Sequence, residues 1–510
     1  MTEELKPNGT LRCYHQFPRH YANFSEMTAQ LGDIGDMGFN AVWVGPLHPV
    51  SQVPKKSGEQ GSLYAITDPR SFREEFFGTA DVEAQKQMVR KYTAEAKNRG
   101  LVPMFDLVLK HMGKGSSLER NEEPRLPDTE NIDTSHWFKS ETFRLNGQVW
   151  DDVTQLDYSK PEIRRQIIDH LWKPFVRMYI EELGFQGIRI DAAQHFPSEV
   201  VKEIIGYARE LWDQQGVQNP FIMAEVLGST KDQRHGLKGC GITHITNYSY
   251  WLPNQYEPAR YGKPDCSLMA QQAFSECWKS EIAHFSNEKG HALHVVRLGP
   301  GDEAYANTVG ATVGFADFHD EHSMAWHIRN AWKGRSEEDI RKQIEKAMRE
   351  EIATVAFCSD GGWFAATGFE VADARPRSVF QCAENAQPSQ PNADLRAFIK
   401  EVNAIVKARP ALGLFNWTER IFLNGKPELA IFKTRDEREP GKPVYLKIAN
   451  TDPDKHPLLT DDDMKKLGPA DRVYICGGVQ MQNPDQAVTP AVIAAQPAND
   501  VGSVRSAAAR

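Results

Sequence analysis

Arg189 and Asp191 stand two residues apart at the end of the run "GFQGIRID". In a strand they would share one face, with Ile188 and Ile190 on the other. Three more apolar runs close on acids or histidines: "FDLVLKH" with Asp106 and His111, "FIMAEV" with Glu225, and "FADFHDEH" with His319 and Asp320. Two carboxyl groups about 5–5.5 Å apart can act on an acetal carbon as nucleophile and acid/base, with retention of configuration. They need opposite tuning. Arg189 on the face of Asp191 favours an ionised carboxylate, which suits a nucleophile. Glu225 follows an apolar run and neighbours other acids, and both factors raise a carboxyl pKa and keep a general acid protonated. Asp320 could accept hydrogen bonds from substrate hydroxyls and favour a cationic transition state, with His111 and His319 as hydroxyl donors in the same site. A lone Arg/Asp pair at a strand end is more often a structural ion pair. It is the acids at neighbouring strand ends that favour chemistry.

Such convergence needs a scaffold that brings strand ends together. Short β-branched or aromatic runs begin at Thr10, Asn40, Leu101, Gly187, Phe221, Thr243, Val313 and Ala353, the last reading "ATVAFCS". Helix-patterned stretches lie between them. In 81–99, Val82, Met88, Val89, Tyr92 and Ala96 recur at helical spacing. In 160–183, Ser159 is placed as N-cap, Pro161 sits in the first turn and Pro174 predicts a kink. Ser336 and Asp339 predict a capping box ahead of a charged, solvated helix. Eight strands alternating with helices predict a (β/α)8 TIM barrel, whose chemistry sits at the C-terminal strand ends. The barrel is expected over 1–111 and 156–410, with an excursion over 112–155. Alternating runs predict a small C-terminal antiparallel β domain over 411–478. An Ala/Pro/Gln/Ser-rich tail follows over 479–510, expected to be disordered.

Composition excludes other classes. The chain of 510 residues carries a net charge of −9 and no Lys/Arg-rich block, which argues against nucleic acid as a partner. No apolar run reaches membrane-spanning length, and no charged segment followed by an apolar stretch marks a secretory signal at the start. Seven cysteines, an odd number without a C-x-x-C pair, fit reduced thiols and a cytoplasmic location. "HDEH" at 319–322 spaces its histidines three apart at a strand–loop junction. A paired helical zinc motif needs i and i+4, so no metal is expected there.

The strand-end motifs, in order, resemble those of the α-amylase family, glycoside hydrolase family 13. "DLVLKH", "GIRIDAAQH", "MAEV" and "FADFHD" are similar to its four signature regions. "GFNAVWVGP" resembles its second-strand signature, and "QLDY" with Asp157 a short motif late in its excursion domain. "GSLYAITD" resembles the segment whose tyrosine, here Tyr64, stacks on the sugar at the cleaved position. The resemblance spans roughly residues 10–410. It implies Asp191 as nucleophile, Glu225 as acid/base and Asp320 as transition-state stabiliser, with Tyr64, Asp106, His111, Arg189, His195 and His319 binding substrate or supporting these acids. Three departures stand out. Lys110 occupies a position where many members have an asparagine that helps bind a structural calcium; a cation there disfavours the ion, so no cofactor is expected. Gln194 precedes His195 where many amylases carry lysine, which alters the acceptor side. Phe318 replaces a polar asparagine before His-Asp.

The reading that follows is a retaining hydrolase or transglycosylase acting on α-1,4-glucan or maltooligosaccharides through a covalent glycosyl-enzyme. One alternative is a transferase using an activated donor such as a maltosyl phosphate, for which only Lys110 hints at a phosphate pocket. The other is a catalytically silent binding protein on the same fold, against which the three retained acids stand.

Overall fold

The computed structural model describes residues 10–486 except 54–60, 124, 146–147, 228, 230, 247–281, 287–291, 297–308, 316, 321, 360, 377–378, 380–391, 409–415, 437–440 and 442. Eight parallel strands close into a barrel: β1 (Leu11–Gln16), β2 (Ala41–Val44), β3 (Val102–Leu107), β4 (Gly187–Ile190), β5 (Phe221–Ala224), β6 (His244–Thr246), β7 (Ala311–Phe315) and β8 (Gly362–Ala366). Each strand neighbours its sequence successor, and β8 returns to β1 with Leu11 opposite Gly362. The expected TIM barrel is therefore present. Inward-pointing side chains of these strands, among them Cys13, Ala41, Trp43, Met104, Phe221, Met223, Val313 and Phe364, fill its interior, while a larger apolar layer packs the barrel against its helices.

Seven of the eight strands fall on the expected runs, although residues 247–250 of the sixth run lie outside the described residues. The eighth expectation was wrong. "ATVAFCS" forms the last turns of the helix Glu337–Cys358, and the barrel closes instead with "GWFAA". A short apolar run buried on every side carries no periodicity that separates helix from strand. Ile352, Ala353, Val355, Ala356 and Phe357 are all buried. Gly362, at φ +111°, permits the closure, because a Cβ there would lie 1.8 Å from the Leu11 carbonyl oxygen.

The helical stretch after the excursion starts at Pro161, as expected, but Lys160 rather than Ser159 is the N-cap residue. Asp157 captures both the backbone N–H (3.0 Å) and the hydroxyl (2.6 Å) of Ser159, leaving that side chain no cap to make. Pro174 is accommodated by a widened, π-helical turn over Ile167–Trp172, in which the Lys173 N–H donates to the Ile168 carbonyl five residues back. Ser336 caps the helix Glu337–Cys358 through the Asp339 N–H.

Between β3 and this helical stretch the chain makes short elements only, including Ser117–Arg120 and the antiparallel pairing of His111–Gly113 with Val153–Gln155. A six-stranded sheet contains Asn416–Ile421, Leu429–Asp436, Val444–Asn450 and Arg472–Cys476, with the last two parallel. The hairpin Ile282–Ser286/Ala292–Val296 joins the same sheet, although its sequence lies within the expected barrel span. Order also persists past 478. Gln480–Met481 pairs with Leu458–Leu459, and a helical turn follows over Pro484–Gln486; the expected tail from 487 onward lies outside the described residues.

Beyond the end of β7, Asp317 is buried and its Oδ1 accepts the Met324 N–H at 2.8 Å. Burial pushes its pKa from 3.8 up to about 7, and burial with the charges of Asp317 and Glu350 raises Glu351 on the adjoining helix. A carboxyl whose pKa is higher when folded contributes stability at low pH that is lost as pH rises through the folded value. For Asp317 the window runs from 3.8 to about 7. Asp317→Asn keeps the acceptor and removes the titration. Thermal melts at pH 8 should therefore place the variant above the wild type, with the two curves converging toward pH 4. A pH-independent difference would contradict the assignment.

Candidate active site

β3, β4 and β5 are paired so that Asp106 lies opposite Arg189 and Arg189 opposite Met223. In-register neighbours point to the same face, so Asp106 and Arg189 both project into the barrel, and Asp191, two residues on, continues that face toward the rim. The ladder runs one residue further on each side: Asp191 N–H donates to the Leu107 carbonyl at 3.0 Å and Glu225 N–H to the Ile190 carbonyl at 2.9 Å. The register thus brings Asp106, Arg189, Asp191 and Glu225 to one place at the C-terminal end of the barrel.

The Arg189 guanidinium is fully buried and joins three acids. Nη1 donates to Asp106 Oδ1 at 2.8 Å and to Asp191 Oδ1 at 2.7 Å. Nη2 lies 2.9 Å from Glu225 Oε2, an ion pair without hydrogen-bond alignment. The same Glu225 oxygen accepts the Ala192 N–H at 2.8 Å. Ala192 adopts the left-handed conformation at φ 44°, rare for a residue with a Cβ, and the chain it redirects lets the Ala193 N–H donate to the Glu225 carbonyl at 3.0 Å. One positive charge cannot balance three carboxylates, so at least one acid is pushed toward its neutral form. Burial raises Glu225 well above the ordinary range; Asp191 and Asp320 add to this, against the opposing pull of Arg189. Burial also raises Asp106 to about 6, again against Arg189. Burial opposes the charge of Arg189, but the surrounding acids outweigh it and hold the guanidinium protonated.

Asp320 is the most open of the acids, its side chain 30% exposed, and lies 3.4 Å from His319 Nε2. His319 in turn stacks on Tyr64, whose hydroxyl bonds Asp106, and this chain of contacts sets Asp320 at the same mouth. His319 is buried, and burial together with the positive charge of Arg189 keeps it neutral. Tyr64 donates its hydroxyl to Asp106 Oδ2 at 2.8 Å and stacks on His319, with centroids 5.0 Å apart. Its guanidinium neighbour Arg189 lies 5.4 Å from its ring. His111 Nε2 meets the Tyr64 carbonyl oxygen at 3.2 Å. His195 sits at the edge of the group, in the helical turn Ala193–His195 that follows Asp191, where its carbonyl accepts from Lys110 Nζ. Gln194 Nε2 donates to the Leu227 carbonyl at 3.0 Å. Phe318 is buried beside His319 (4.1 Å) and 6.0 Å from the guanidinium carbon, forming an apolar wall.

Two side chains at the site were not singled out from the sequence. Trp43 is fully buried, yet its Nε1 donates to Asp106 Oδ2 at 3.1 Å and Arg189 lies 4.9 Å from its ring. His15 stacks on Trp43 at 3.6 Å and meets His319 edge-on at 4.9 Å. Both stand near the C-terminal ends of β1 and β2. Inspecting every strand end, not only those carrying acids, would have found them.

The family profile described as "Alpha amylase, catalytic domain" matches residues 22–224, a stretch that includes Asp191 and stops one residue before Glu225. A probable α-amylase 2 from Arabidopsis thaliana is 24% identical over 251 residues, 48% of this chain and 52% of that protein. The chain thus spans about half the length of that curated relative. Among solved structures, a noncanonic maltogenic α-amylase from Thermotoga neapolitana matches with TM-score 0.56 and 19% identity, covering 86% of each chain. An α-amylase from Lactobacillus plantarum matches with TM-score 0.56 and 18% identity, covering 83% of this chain and 87% of that one. At these identities the structural matches establish the fold.

If Arg189 is the shared counter-ion, Arg189→Met leaves buried carboxylates unbalanced and should cost about 3–5 kcal/mol at neutral pH. The deficit should shrink as pH falls and the acids protonate. Urea unfolding at pH 7 and pH 4.5 reads both; an equal loss at the two pH values would contradict the cluster's electrostatics.

Proposed function

We propose, from the premise that this chain belongs to the α-amylase family, that it is a retaining glycoside hydrolase or transglycosylase acting on α-1,4-glucan or maltooligosaccharides. The observation that carries the reading is the contact of Asp106, Asp191 and Glu225 with one buried guanidinium, with Asp320 at the same mouth. Asp191 attacks the anomeric carbon and forms a glycosyl ester, while Glu225, protonated by burial, donates its proton to the departing glycosidic oxygen. Glu225 then accepts a proton from the incoming water or sugar hydroxyl, which opens the ester with a second inversion. Asp320 accepts hydroxyl hydrogen bonds that strengthen as positive charge develops on the ring. The neutral ring of His319 offers an N–H donor to the same sugar, His111 spends its single N–H on the Tyr64 carbonyl and braces that segment, and Tyr64 supplies an aromatic edge held by Asp106.

Capture by water or by a sugar distinguishes hydrolysis from transfer, and the two share the first step. The altered acceptor side at Gln194 supports transfer as part of the proposal. Cys13, Cys240 and Cys476 are free and buried, which supports a cytoplasmic setting. No helix among the described residues is long and apolar enough to cross a membrane.

Incubation with maltoheptaose and resolution of the products tests the reading. Shorter chains alone mean hydrolysis, and products both shorter and longer than the substrate mean transfer. Asp191→Ala should lower turnover by several orders of magnitude while the protein stays folded. No change to any α-glucan by the wild type, with or without phosphate, would refute an enzymatic role.

A further inference from the structure

We propose that the ammonium of Lys110 serves as a built-in structural cation where the excursion leaves and rejoins the barrel, so that this chain needs no calcium at that position. Lys110 is 9% exposed and follows β3 by three residues. Its Nζ donates to the His195 carbonyl, and its own carbonyl accepts the Leu156 N–H at 3.1 Å. One residue thus ties three segments: the exit of β3, the return of the excursion and the turn after Asp191. The ammonium itself joins the β3 exit to the turn after Asp191 through one carbonyl oxygen, a link of the kind a bound hard cation makes, while the tie to Leu156 is backbone.

The surroundings do not suit a divalent ion. Calcium requires six to eight oxygen ligands, several of them carboxylates. Among the described residues, no carboxylate lies within ion-pair distance of Lys110 and no cluster of three His, Cys, Asp or Glu side chains is placed to hold a metal. Asp157, the acid of the neighbouring "QLDY" segment, spends one oxygen on Ser159. The His195 carbonyl already faces an ammonium, and Lys139 adds a second positive charge nearby. Burial and Lys139 lower Lys110 to about 8, which still leaves it charged at pH 7. The link also bears on the site, because the His195 carbonyl belongs to the turn that carries Gln194, and Gln194 in turn bonds the Leu227 carbonyl after β5.

Thermal melting of the full chain tests this without any sugar, so its failure would not touch the proposed reaction. The wild type should melt at the same temperature with excess EGTA and with added calcium chloride. Lys110→Met should melt lower by about 2 °C or more in both conditions, and Lys110→Arg, which keeps a cation, should recover part of the loss. A wild type that EGTA destabilises and calcium restores would overturn the proposal, as would Lys110→Met melting like the wild type. Should Lys110→Met fail to fold, the wild-type comparison with and without EGTA still decides.

Discussion

A single guanidinium sealed inside the barrel mouth has to serve three carboxylates, and the arrangement of the site follows from that imbalance. Arg189 has no solvent exposure, while Asp106, Asp191 and Glu225 all lie within ion-pair distance of its two terminal nitrogens. Charges removed from water are costly unless paired, and like charges placed close together resist joint ionisation. The deficit is met by proton retention. Glu225 is raised far above an ordinary carboxyl and Asp106 to about 6. A protein built for stability alone would gain little from such a group. A site that needs a proton donor beside a charged acid gains both from it.

The barrel makes this arrangement repeatable and rigid. Parallel pairing in register places Asp106 beside Arg189, and strand alternation carries Asp191 onto the same face. The Ala192 N–H meets the Glu225 carboxylate, and the left-handed turn at Ala192 then brings the Ala193 N–H to the Glu225 carbonyl. Around the polar centre stands an aromatic wall of Trp43, Tyr64, Phe318 and the neutral rings of His15 and His319. This wall buries the guanidinium, which strengthens the electrostatics around it, while Trp43 and Tyr64 also donate hydrogen bonds to Asp106. Asp106 is therefore held from three sides and suited to orienting Arg189.

The acids were legible in the sequence because each closes a run whose strand character is plain. Arg189 and Asp191 at i and i+2 in "GIRID" left little freedom about where they point. Trp43 and His15 were not legible, since a tryptophan or histidine near a strand end looks the same whether it lines a core or a cleft. Barrel closure was half legible. The count of eight strands held, yet "ATVAFCS" is helix and "GWFAA" is the eighth strand. Burial on all sides erases the periodicity that separates the two, and the telling residue was Gly362, whose positive φ lets β8 approach β1. Membership of the C-terminal sheet was also only partly readable, because the pairing of Ile282–Ser286 and Ala292–Val296 with Asn416–Ile421 joins segments far apart in the chain. Non-local pairing leaves no short-range mark.

The proposed double displacement at one anomeric carbon requires the carboxyls of Asp191 and Glu225 to sit too close together for a water molecule to attack between them. The stereochemistry of the first product reports on that spacing directly. Proton NMR of a maltooligosaccharide during the first minutes of reaction, before mutarotation, should show the new reducing end appearing as the α-anomer. Appearance of the β-anomer first would mean direct attack by water, and the nucleophilic role of Asp191 would have to be abandoned.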